Sequence, residues 1–323
     1  MRASIERHAL RIAVAVVVCL ALAGFAPPAF AELFDGMVVF GDSLSDPGNH
    51  FVAYETTSQP PFAPLPDYPY AIGGHHFSNG PTWIEQLSHA LGMPTSGKPA
   101  LRAPGVFTNY AVGRARARTG AAAFPHFDLG TQVQTFLADT GGAARADALY
   151  VIWIGANDLD DALIEAQTNP ERVGEIIQAA VTTIAGNVYA LWTAGARRFM
   201  ILNLPDPALA PFVRALGPGV QAAATQVGAI YNAALAQALS QVSVLPGLQL
   251  IPFDVKTVFD DIVATRDGGT MNVIEPCLTF GVVRHATCAH PAHYLFWDGA
   301  HPTRAGHHLI AEAVLRVLDP DGE

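Results

Sequence analysis

Ser43 has a strong claim to chemistry because of what precedes it. Met37-Val38-Val39-Phe40 is an apolar run of strand type that stops at Gly41 and leads straight into Asp42-Ser43. A strand ending there delivers the hydroxyl to the carboxyl edge of a sheet, where open α/β folds bind ligands. The competing reading is a plain turn, since Asp and Ser favour local hydrogen bonds to the backbone. A serine hydroxyl attacks only if a base takes its proton, and that base is normally a histidine oriented by a carboxylate. The chain has 12 histidines, so composition does not choose among them. Phe296-Trp297-Asp298-Gly299-Ala300-His301-Pro302-Thr303 offers a pair: one turn can hold Asp298 against His301, and Thr303 can cap a following helix. An Asp that merely satisfies backbone donors at a helix start is the other reading of that pair.

Acyl transfer also needs donors aimed at a developing oxyanion. Asn157, in Gly155-Ala156-Asn157-Asp158 after an apolar run, could offer a side-chain N–H. Gly113 could offer a backbone N–H with no side chain in the way. Cys277 and Cys288 are close in sequence and read as a disulfide. The rival reading is zinc, because His285, His290 and His293 crowd around Cys288, but no Cys-x-x-Cys accompanies them.

These residues need elements to hold them. Met37 to Gly41, Val106 to Val112, Ala148 to Ile154, Phe199 to Leu204 and Leu248 to Val255 read as strands. Pro81 suits a first helical position ahead of Trp83, Ile84 and Leu87. A long helical stretch starts near Pro170 and ends at Gly195, with Ile176, Ile177, Ala180, Ile184 and Val188 at helical spacing. Val220 to Val242 and Thr303 to Leu318 are helical as well. Continuous apolar strands alternating with helices imply βαβ units and a mostly parallel sheet covered on both faces. Phe51 to Gly80 and Thr119 to Thr131 read as loops over one face.

Of 323 residues half are hydrophobic and 14% charged, enough for a large core. The net charge of −10 argues against a nucleic-acid partner. No Gly-x-Gly-x-x-Gly follows the first strand and no P-loop lysine is present, so a nucleotide site lacks its fingerprint. Arg2, Arg7 and Arg11, the apolar run Ile12 to Gly24, and Ala29-Phe30-Ala31 make the three-part pattern of a secretory signal. A retained anchor is the alternative, although the run is short for a membrane span. Cys19 lacks the small residues that precede a lipidated cysteine. The expectation is removal of residues 1–31, a single domain over 32–323, and a secreted or periplasmic protein with no membrane span afterwards.

Gly41-Asp42-Ser43-Leu44-Ser45-Asp46, Asn109-Tyr110-Ala111-Val112-Gly113, Gly155-x-Asn157-Asp158 and Asp298-x-x-His301-Pro302-Thr303 occur in that order. Together they resemble the SGNH (GDSL) esterase/lipase family. Phe77-Ser78-Asn79-Gly80-Pro81 and Tyr294-Leu295-Phe296-Trp297-Asp298 resemble its secreted lipases in particular. The resemblance implies a three-layer α/β/α, flavodoxin-like fold. It also implies Ser43 as nucleophile, His301 as base, Asp298 as its orienter, and Ser43 N–H, Gly113 N–H and Asn157 as oxyanion donors. No cofactor is implied. The substrate class is carboxylic esters, with phospholipid hydrolysis or acyl transfer as family alternatives, and contact with a lipid surface is compatible with both. Outside that class stand a catalytically silent lipid- or carbohydrate-binding protein and a metal-dependent hydrolase. Arg114 departs from the small residue many members carry there, and Arg114, Arg116 and Arg118 alternate as on a solvated face.

Overall fold

The structure is a computed structural model that describes residues 34–66, 68–119, 127–266 and 269–319. The expected secretory signal and its cut site lie outside the described residues, as does part of the Thr119–Thr131 loop. The fold is carried by the unit Asp35–Glu323.

Four parallel strands, β1 (Met37–Gly41), β2 (Leu149–Trp153), β3 (Arg198–Leu202) and β4 (Gln249–Phe253), lie side by side in that order. Every residue of β1 and β2 is buried, which explains their unbroken apolar runs: both faces of these central strands are covered. β4, at the edge, is partly exposed.

The expected strand at Val106 to Val112 is instead a segment with only isolated bridges, from Asn109 to Val39 and to Pro99. It still runs along the free edge of β1. Val39 N–H donates to Thr108 O at 2.9 Å, Tyr110 N–H to Val39 O at 2.7 Å and Val112 N–H to Gly41 O at 3.1 Å. Counting it, the chain order across the sheet is second, first, third, fourth, fifth, the flavodoxin-like order. The order reverses between β1 and β2, so the crevice beyond their carboxyl ends is the expected ligand site.

Helices flank the sheet in two groups. α1 (Asn49–Tyr54) follows β1, and α2 (Trp83–Ala90) packs on the last helix. α3 (Leu129–Asp139), α4 (Ala156–Glu165) and α5 (Arg172–Ala194) pack together, with α5 also against α7 (Pro218–Val242), which follows the short α6 (Pro211–Ala215). α8 (Val255–Arg266) follows β4, and α9 (Arg304–Leu318) closes the chain beside α2. A separate pair, β5 (Asn272–Pro276) and β6 (Tyr294–Phe296), stands just before the Asp298 segment. No described helix is long and apolar enough to cross a membrane.

Several local expectations need correction. Pro81 sits one residue outside α2; Thr82 is the N-cap, in a reciprocal capping box with Glu85. α1, α3, α4, α6 and α8 are additions to the helices that the sequence pattern predicts, and α1 and α3 reach into the stretches expected as the loops Phe51–Gly80 and Thr119–Thr131. α8 begins almost where β4 ends, because Asp254 takes up Thr257 N–H at 3.2 Å and the Thr257 hydroxyl at 2.7 Å. Gly155 turns the chain from β2 into α4 at φ 125°, and a Cβ there would collide with the Tyr231 hydroxyl.

Candidate active site

The strand stop at Gly41 is built by a side chain from α3. Gln132 accepts from Gly41 N–H at 2.9 Å and donates to Gly41 O at 2.7 Å, occupying both backbone groups at the end of β1. The chain then turns, with Leu44 N–H on Asp42 Oδ1 at 3.0 Å and Ser45 N–H on Asp42 O at 3.1 Å. The turn and nucleophile readings of this stretch are therefore compatible: the turn aims Ser43 outward. Asp46, fully buried, fixes the start of α1. Its Oδ1 accepts from the N–H groups of Gly48 (2.7 Å) and Asn49 (2.6 Å), and its Oδ2 from His50 (3.0 Å) and Gly113 (2.7 Å).

Ser43 Oγ lies 2.9 Å from His301 Nε2, across 258 positions of sequence. His301 Nδ1 lies 2.8 Å from Asp298 Oδ2, and Asp298 Oδ1 accepts from Ala300 N–H (2.8 Å) and His301 N–H (2.7 Å). A line of hydroxyl, imidazole and carboxylate is thus assembled from the two ends of the unit. Burial alone would raise the Asp298 carboxyl, but the facing His301 ring and the two backbone donors outweigh it and hold it below the usual range. Burial disfavours charge on His301, while Asp298 first, and Asp42 and Asp160 after it, raise the ring above its ordinary value. Asp42, fully buried with Oδ2 lacking a hydrogen-bond partner, is pushed up to about 7, chiefly by burial.

The His301 segment is held by neighbours far away in sequence. Trp297 N–H donates to His301 O at 2.7 Å, closing a tight loop around Asp298. The Ser78 hydroxyl donates to Pro302 O at 2.8 Å, and Asn79 Oδ1 accepts from Arg304 N–H at 2.7 Å. The Phe77 ring packs on the imidazole, centroids 5.4 Å apart. Thr303 caps α9, its hydroxyl accepting from Gly306 N–H at 3.0 Å. Asp298 and Thr303 could be read from the sequence. The Ser78 and Asn79 contacts could not, beyond their place in a block that resembles a family.

The expected oxyanion donors fare differently. Asn157 stands in the first turn of α4 and lines the cleft beside Ser43; one N–H of its amide goes to Ala115 O at 2.9 Å, leaving the other. Gly113, the other expected backbone donor, gives its N–H to Asp46 Oδ2 at 2.7 Å, and the neighbouring Arg114 lines the cleft. Gly113 is glycine for another reason, since a Cβ would run into the Phe77 ring. Arg114 adopts the left-handed conformation, φ 68°. Nor do all three arginines form a solvated face. Arg116 clasps Asp161 through two bonds (2.6 and 2.8 Å), and Arg118 pairs with Asp161 and, at 3.2 Å, with Asp158; both side chains are largely covered.

The cleft over Ser43 encloses about 290 Å³. Its walls are mainly apolar, including Leu44, Ile164, Leu209, Phe212 and Phe259, with Ser43, Asn157 and His301 converging on it. Cys277 and Cys288 form a disulfide, Cα atoms 4.9 Å apart, which takes up the thiolate a zinc site would need.

The profile of the family described as GDSL-like Lipase/Acylhydrolase matches residues 37–314, from the first residue of β1 into α9. The chain belongs to that family. A thermolabile hemolysin of Vibrio parahaemolyticus is 28% identical over 86% of this chain, which spans 62% of the hemolysin's length. A GDSL esterase/lipase of Arabidopsis thaliana is 25% identical, covering 87% of this chain and 86% of its own. Another Arabidopsis relative, 26% identical over 88% of this chain and 73% of its own, is named an inactive GDSL esterase/lipase-like protein. Among solved structures, a variant of an acetyl xylan esterase from Geobacillus stearothermophilus covers 88% of this chain and 94% of its own, at 14% identity and TM-score 0.45.

Proposed function

We propose that this member of the family is a serine esterase that hydrolyses carboxylic esters through an acyl-enzyme on Ser43. The observation that carries the proposal is the unbroken line from Ser43 Oγ through His301 to Asp298, with both hydrogen bonds under 3 Å. His301 takes the Ser43 proton as the hydroxyl attacks the ester carbonyl, then gives it to the departing alcohol. Asp298 holds the ring with Nε2 facing the serine and stabilises the imidazolium. Ser43 N–H and the remaining Asn157 N–H meet the oxyanion, while Gly113 shapes the loop through Asp46. Water then enters, is deprotonated by His301 and releases the acid. The apolar cleft supports an acyl chain as the bound part of the substrate.

The same line of groups argues against a silent binding protein, since each member is present and connected. An exported chain, cut after Ala31 and folded as a single domain from 32 to 323, is consistent with a disulfide, which persists in oxidising compartments. A series of p-nitrophenyl esters of rising acyl length, with a phospholipid, an acetylated sugar and an added alcohol acceptor, tests the substrate. Ser43→Ala is expected to lose turnover with its fold intact; undiminished hydrolysis by that variant would overturn the assignment.

A further inference from the structure

Asp298 accepts a fourth hydrogen bond, from a residue none of the chemistry-bearing blocks contains. Besides His301 Nδ1, its Oδ2 takes the Tyr70 hydroxyl at 2.7 Å, across 228 positions of sequence. Tyr70 is fully buried. Its backbone is pinned in a tight loop: its N–H donates to His76 O at 2.9 Å and its carbonyl accepts from His75 N–H at 3.0 Å. Its ring meets Phe62 and Trp297 edge-on, centroids 5.7 and 6.0 Å away, in a small core that includes Cys277 and Leu278. Leu278 N–H in turn donates to Trp297 O at 2.9 Å, next to Asp298. A buried tyrosine needs an acceptor for its hydroxyl. Here the acceptor is the one carboxylate oxygen that also holds the His301 ring.

We infer that Tyr70 is a positioning residue for the line Asp298–His301–Ser43, fixing Oδ2 on Nδ1 and tempering the basicity the carboxylate lends to the imidazole. An acceptor oxygen shared by two donors gives each of them less. With the Tyr70 hydroxyl gone, Asp298 turns its full acceptor strength on His301, stabilises the imidazolium and leaves less neutral base at a given pH. The carboxylate also loses a restraint on its orientation. The other titratable groups facing the ring are Asp42 beyond β1, Asp160 on α4 and His307 on α9, which burial keeps neutral. The Tyr70 hydroxyl bonds to Asp298 rather than to any of these, so all three stay in place when it is removed. The inference rests on the esterase reading for its effect on rate, and not for its effect on the His301 ring.

The experiment is Tyr70→Phe, which keeps the ring and removes only the hydroxyl. The expected result is kcat down by about tenfold, the worth of one hydrogen bond to a charged group, with KM nearly unchanged. The acid limb of the pH–rate profile moves to higher pH. In a Ser43→Ala background, NMR titration of His301 reads the same upward shift with no turnover needed. If Ser43→Ala still hydrolyses ester, the esterase reading falls while this titration still reports on Tyr70. Should Tyr70→Phe fold poorly, 3-fluorotyrosine at position 70, a stronger donor, is expected to move the acid limb and the His301 titration the opposite way. Unchanged kcat, pH profile and His301 titration, with only a lower melting temperature, would reduce Tyr70 to packing and overturn the inference.

Discussion

Ser43 and His301 meet at 2.9 Å, yet two different kinds of structure bring them there. Ser43 is placed by the sheet: β1 is a central buried strand, Gln132 closes its end, and Asp46 gathers four backbone N–H groups behind the turn. His301 comes after a three-residue strand of a separate pair and is held by side chains reaching from elsewhere, Tyr70, Phe77, Ser78 and Asn79. The nucleophile depends on regular structure and the base on a patchwork. Damage on the first side is therefore expected to appear as lost stability, and damage on the second as lost rate.

The largest expected effect lies on the base side. His301→Ala removes the proton acceptor and is expected to lower kcat on the order of 10⁴-fold or more with the melting temperature little changed. Asp298→Asn comes next, at about 10³-fold, because Asp298 is the acceptor found on Nδ1 and an amide there offers the wrong tautomer. An equal loss in the two variants would mean that the carboxylate does more than orient. On the sheet side, Asp46→Asn keeps one acceptor oxygen and deprives two of the four N–H groups of theirs, at a cost of about 2–4 kcal/mol read by denaturant unfolding. Replacing Cys277 and Cys288 together by Ser opens an 11-residue separation and is expected to cost about 2–3 kcal/mol, with a few-fold loss of kcat because the loop hydrogen-bonds to the Phe296–Trp297 backbone. A loss of stability with kcat unchanged would separate the disulfide from the base.

The smallest effect concerns pH, and its sign comes from His301. The folded protein raises this group above its unfolded value. Its contribution to stability is fully present below about pH 6.5 and is lost as pH rises through the folded value. Catalysis needs the neutral ring, so rate climbs over the same window in which this contribution fades. Parallel melting and kcat/KM profiles check it; rate and stability rising together there would break the link.

Legibility in the sequence divides along the same line. The α/β order, β1 to β3 and Ser43 are legible because buried parallel strands leave continuous apolar runs, those of β1 and β2 stopping at Gly41 and near Gly155; β4, though partly exposed at the edge, keeps an apolar stretch of its own. Asp298 and His301 are legible only as a local pair. Tyr70, Ser78 and Gln132 are not, because a side chain that hydrogen-bonds across scores or hundreds of positions leaves no periodicity behind. α4 is hidden because Ala156-Asn157-Asp158 reads as turn chemistry while serving as the first turn of a helix. Gly113 takes its expected donor role from its place after an expected strand and in a block; the Asp46 contact, from another segment, reveals where its N–H points.

The central claim is a covalent acyl-enzyme on Ser43 made possible by His301. Treatment with a fluorophosphonate, with peptide mass mapping of the product, tests it most directly. The predicted result is one adduct per chain, on Ser43, absent in Ser43→Ala and formed far more slowly in His301→Ala. An adduct mapped to another residue, or full labelling of Ser43→Ala together with wild-type hydrolysis, would contradict it.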